Sequence, residues 1–316
     1  MSYKKLGLIV LLVLAVIVGG LIYIRDHVIE APHPGADITD LSASYQAREE
    51  IAKAMEERGK ADLQPAEVVT TLPANISAVA IVFDGLPERP LALRLLDVLA
   101  RHSVPAVFFV EGQNAAEQPE TLKAIQDAGQ EIGNYTFVGV TGIEKQPVEE
   151  QISQLCRTQK VVVMLSELAP KYFRAPRVRY EDEILKSVKA AGIPYAVKEN
   201  SWFRAEGMET PEQVAAYAAT VPFGSIVAVP VARFVEPKAV TPGKSDDRPA
   251  VDMKPTIKDE KKEKIARKVD LADKVDWLLA ALRGRGLEIA PLERFRKIHY
   301  IPAAPQPQPP PEKEGE

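Results

Sequence analysis

The chain has 316 residues, 46% of them hydrophobic, and its 40 Lys and Arg against 44 Asp and Glu leave a formal charge of −4. That length and apolar content suit one large buried core with appendages, and the weak acidic excess supplies no general attraction for nucleic acid. The single cysteine, Cys156, excludes an internal disulfide and a cysteine-built metal site; within the helix-like QISQLCRTQK it reads as a small packed residue rather than a nucleophile.

The first element follows a short cytoplasmic segment, residues 1–5. Residues 6–24, LGLIVLLVLAVIVGGLIYI, carry no charge and are long enough to cross a bilayer as a helix. Lys4 and Lys5 ahead of it predict a single-pass anchor in the cytoplasmic membrane with the soluble part outside, an asymmetry that Arg25 weakens. A cleaved signal peptide is the alternative; the run exceeds a usual signal core, and no clear small-x-small site follows it. Residues 25–76 read as a stalk. Its Pro-rich HVIEAPHPGADITD is followed by a charged helical stretch in which Ile51 and Met55 make only a short apolar stripe.

From residue 77 to 296 strand and helix signals alternate, predicting an α/β domain of mainly parallel strands. SAVAIVFD is a buried strand, LALRLLDVLARHS a helix with a leucine-rich face, PAVFFV a strand, and PETLKAIQDAG a helix closed by Gly129. EIGNYTF, KYFRAP, IPYAVK and GSIVAVPV are further strands. QPVEEQISQLCRTQK, EDEILKSVKAAG and PEQVAAYAATV are the helices between them. DLADKVDWLLAALRGRG and LEIAPLERF supply a last helix and strand. Residues 236–268, rich in proline and mixed charge, cannot repay their ordering by burial and read as a mobile insertion. Residues 297–316 read as an extended, solvated tail.

These residues carry a specific resemblance. VFDGLP, PAVFFVEGQNA and EIGNYTFVG, followed by YFRAP, ENSWF, GSIVAVP and VDWLLAALRGRGLEIAPLERF, resemble in order and spacing the motifs of the polysaccharide deacetylase domain. This is the NodB-homology domain of the family-four carbohydrate esterases. The resemblance implies a deformed (β/α) barrel with its site at the strand C-termini. It also implies removal of N- or O-acetyl groups from glycans such as chitin oligosaccharides or peptidoglycan. One divalent metal such as zinc, held by an Asp and two His, would polarise the acetyl carbonyl and activate water, while a carboxylate and a histidine move the protons.

Carried onto this chain, most of that apparatus is missing. Asp84 takes the catalytic-base position, but the ligand aspartate falls at Gly85, followed by Leu86. The two ligand histidines fall at Tyr135 and Gly139, and the general-acid histidine at Pro230. The resemblance therefore implies no bound metal here. The four histidines, His27, His33, His102 and His299, lie outside every motif. Glu111 and Glu199 stand near strand ends and read as solvated loop residues rather than as a relocated site.

Arg174 matches the family arginine that pairs with the catalytic aspartate, so an Asp84–Arg174 ion pair is expected, serving structure or chemistry. Trp202 either stacks on a sugar face or plugs the barrel top. Arg177 replaces an aromatic whose backbone N–H helps form an oxyanion hole. With Arg179 it either attracts an anionic polymer or is neutralised by the nearby EDE run. The expectation is a membrane-anchored, catalytically degenerate module that binds a glycan or an envelope protein through a groove including Tyr135, Arg177 and Trp202. The alternative is a divergent metal-dependent carbohydrate deacetylase. A third reading has the domain present its insertion and tail to other envelope proteins.

Overall fold

The computed structural model describes residues 45–73, 75–231 and 269–297. The anchor (6–24), the first part of the stalk, the insertion (236–268) and nearly all of the tail lie outside them. No helix among the described residues is long and apolar enough to cross a membrane.

One compact unit begins at Ala47. Its strands are β1 (Glu67–Val69), β2 (Ala78–Asp84), β3 (Ala106–Val110), β4 (Glu131–Asn134), β5 (Tyr172–Phe173), β6 (Tyr195–Val197), β7 (Ser201–Trp202), β8 (Ile226–Pro230) and β9 (Glu288–Ile289). They form one sheet in the order β1-β6-β5-β4-β3-β2-β8-β7, with β9 beside β2. All the pairings are parallel. The sheet curls: beyond β1 the Leu72 N–H donates to the Gly224 carbonyl ahead of β8 at 2.8 Å.

All seven residues of β2 are buried, as a central parallel strand covered on both faces requires. Alternate residues Ala78, Ala80 and Val82 join Val107, Phe109, Tyr135, Tyr172, Val197, Ala228 and Phe295 in an interior cluster. Helices pack outside. Arg89–Arg101 buries Ala92, Leu95, Leu96, Val98 and Leu99, the stripe expected from its leucines, and has proline in its first turn. Pro211–Thr220 and Leu271–Gly284 each open with a reciprocal capping box, Thr210 with Gln213 and Asp270 with Asp273.

Two local expectations change. EIGNYTF leaves the sheet at Asn134, whose side chain donates to the Leu155 carbonyl and accepts from the Thr136 N–H, holding the chain in a turn. LEIAPLERF is strand only over Glu288–Ile289 and becomes the helix Leu292–Lys297, whose Leu292 and Phe295 enter the interior cluster. EGQNA, to which the sequence pattern assigns no element, opens the short helix Gly112–Glu117.

The largest difference concerns the stalk. Residues expected to be a spacer form the helix Arg48–Arg58 and the edge strand β1, paired with β6. Ala54 is buried with Ala47, Ile152 and Cys156, while Ile51 packs at the edge of that cluster. Lys160 pairs with Glu50. The short stripe is enough because small residues let the helix lie close to the long helix Val148–Ser166.

Candidate functional site

Parallel strands deliver the residues that follow them to one end of the sheet. Asp84 ends β2, Glu111 follows β3, Tyr135 follows β4, Arg174 follows β5, Glu199 follows β6, Trp202 ends β7 and Pro230 ends β8. Asp84 and Pro230 are direct neighbours in register.

The centre is an ion pair sealed from water. Arg174 Nε donates to Asp84 Oδ1 at 2.6 Å and Nη2 to Oδ2 at 3.0 Å, a bidentate arrangement with residue exposures of 2% and 1%. Arg174 Nη1 donates to the Glu199 carboxylate. The guanidinium carbon lies 5.1 Å from the centre of the Trp202 ring, which packs against the interior cluster. Burial pushes the Asp84 carboxyl upward, and Arg174 pulls back against it. Burial opposes the charge on Arg174, but Asp84, Tyr180 and Glu199 outweigh it and hold the guanidinium firmly protonated.

Beside the pair, Glu111 is buried and accepts from the Leu86 N–H at 2.9 Å, bracing the chain just after β2. Burial raises its carboxyl above the usual range, and the Leu86 bond opposes this. Tyr135 is 1% exposed, and its hydroxyl has no hydrogen-bond partner. Burial also drives its ionisation far up, so it remains a neutral phenol.

Glu111 and Glu199 therefore depart from the solvated loop residues expected: one is a buried brace and the other a partner of Arg174. For Glu111 the available signal was its position directly after the buried strand β3, whose neighbour β2 ends in Asp84. Arg177 is exposed and left-handed, with φ 51°. Arg179 lies 3.7 Å from Glu144 and 3.2 Å from Glu181, so part of the acidic run balances it. His102 pairs with Asp276 at 2.6 Å, after the helix Arg89–Arg101 and ahead of β3, away from the strand C-termini. The other three histidines lie outside the described residues.

A divalent metal does not fit the positions that the resemblance assigns to it. Gly85 and Gly139 offer no side chain, Tyr135 offers a neutral phenol, and both Asp84 oxygens are already bound by Arg174. Among the described residues no group of three His, Cys, Asp or Glu is placed to hold a metal ion.

A curled parallel α/β sheet whose charged side chains converge at the strand C-termini defines a domain of the (β/α)-barrel class. Residues 72–196 match the family model for polysaccharide deacetylase, so this stretch of the chain is a polysaccharide deacetylase (NodB-homology) domain. It is 35% identical over 104 residues to a peptidoglycan-N-acetylglucosamine deacetylase of Bacillus cereus, covering 33% of this chain and 38% of that protein. It is 30% identical over 132 residues to a chitooligosaccharide deacetylase of Sinorhizobium fredii, covering 40% and 60%. The matched part is thus less than two thirds of either relative. Among solved structures, the fold resembles a CE4 family pseudoenzyme from Bacillus anthracis, with TM-score 0.56, 17% identity and coverage of 74% and 70%. It also resembles the peptidoglycan deacetylase PdaC of Bacillus subtilis, with TM-score 0.52, 18% identity and coverage of 72% and 93%.

Proposed function

We propose that this domain is a catalytically degenerate deacetylase-like module of the cell envelope, held at the outer face of the cytoplasmic membrane by residues 6–24. It binds a glycan or an envelope protein through the groove at the strand C-termini. The observation that carries this reading is the state of Asp84. The carboxylate in the base position is dry and bonded through both oxygens, while neighbouring Gly85 and Gly139 have nothing with which to hold an electrophile. Without a cation or its equivalent, neither the carbonyl nor the water is activated. The named substrates of the relatives make N-acetylated glycans the class of ligand to examine first.

The test combines metal analysis of the purified protein with acetate release from chitin oligosaccharides and peptidoglycan. The expected outcome is no stoichiometric divalent metal and no acetate. Acetate release abolished by Asp84→Ala would instead establish a divergent deacetylase. Co-sedimentation with insoluble peptidoglycan is expected to retain the protein, and Trp202→Ala to weaken retention; binding unaffected by that change moves the contact away from the groove. Membrane fractionation with external protease checks the anchor, the expected result being digestion of the domain from the outer side.

A further inference from the structure

The reading above rests on position 139 having lost a ligand side chain, and the structure shows what stands beside the vacated place. A Cβ on Gly139 would lie 3.2 Å from Glu111 Cγ, closer than ordinary packing, and in ordinary contact at 3.5 Å with its Oε1, on a backbone at φ 67°. Glu111 is not a loose side chain that swings aside. It is buried after β3, and its other carboxylate oxygen accepts from the buried Leu86 N–H, two residues past Asp84.

We infer that Glu111 is a positioning residue that has taken over the space beside Gly139 and links the β2, β3 and β4 loops across the former pocket. It does two things at once: it satisfies a backbone donor in the loop carrying Gly85, and it crowds any side chain introduced at 139. The pocket is consolidated around this carboxyl, so replacing the missing ligand residues does not by itself recover a cation site. The link acts through volume and hydrogen-bond acceptance, so glutamine sustains it and alanine does not.

A double-mutant cycle on thermal unfolding tests this. Gly139→Ala is expected to lower Tm in the native and E111Q backgrounds, and to lower it markedly less in E111A, where the space beside 139 is open; equal losses in all three overturn the inference. Zinc titration by calorimetry gives an independent readout. The G85D/Y135H/G139H protein is expected to bind zinc more tightly, by about tenfold or more, once E111A is added. Unchanged or weaker affinity counts against Glu111 as the obstruction, and if the four-fold variant does not fold, the cycle decides alone. Tight zinc binding by the unmodified protein overturns the reading of the preceding subsection instead, so the two failures are distinguishable.

Discussion

Arg174 is the residue on which the strand ends depend. Its three nitrogens satisfy two carboxylates inside the fold, so Arg174→Met leaves Asp84 and Glu199 facing each other without a cation. The expected cost in chemical unfolding is about 3–5 kcal/mol, whereas D84N/R174M, which removes charge on both sides, costs clearly less. Tyr135 behaves oppositely. Its buried hydroxyl bonds to nothing, so Tyr135→Phe is expected to leave Tm unchanged or raise it. Glu111 adds a pH dependence. Its folded value lies above the ordinary glutamate value of 4.5, so above that pH the native state holds a proton that the unfolded chain has released. Its contribution is complete below the unfolded value and is lost as pH rises through the folded one. Unfolding measured from pH 4 upward is expected to show a weaker decline in E111Q than in the native protein.

At the scale of elements, the helix Arg48–Arg58 is the part whose role changes most between sequence and structure. It lies over Cys156, whose thiol contacts the Glu50 carbonyl at 3.7 Å and is pushed by burial up to about 12. Cys156 is therefore expected to resist alkylation at pH 8 in the native protein. A fragment beginning at residue 61 removes the cover, and its thiol is expected to react readily. Equal labelling of both would mean that the helix does not dock. Ala54→Asp tests the same contact by another route, placing a carboxylate against Ile152 and Cys156 at a cost of about 2 kcal/mol or more. The helix was missed as part of the domain because its contact face is built from alanines, which register weakly in a hydrophobic pattern although they permit close approach.

For the whole molecule, burial decides where a ligand can act. Asp84, Arg174 and Tyr135 are closed off inside the strand ends, whereas Trp202 is partly accessible and Arg177 is exposed. On the function proposed above, recognition of a glycan or partner would therefore fall to the rim formed by the β5–β7 loops rather than to the buried floor around Asp84. An alanine scan of Arg177, Arg179 and Trp202 in peptidoglycan co-sedimentation is expected to affect retention more than Y135F does; the reverse order would place the contact at the floor.

The amino-acid order alone determined the alternation of strands and helices, because the run of six apolar residues that leads to Asp84 in β2 and the leucine stripe of Arg89–Arg101 are patterns local to each element. Through the resemblance it also implied that the family's metal-ligand side chains are replaced at Gly85, Tyr135 and Gly139, and its general-acid histidine at Pro230. Only the tertiary structure decided what replaced them. That Glu111 abuts Gly139, that Glu199 shares Arg174 with Asp84, and that a charged helix belongs to the core are all contacts between residues far apart in the chain. Their free energy comes from desolvation and close packing, which exist only after the sheet has curled and brought the strand ends together.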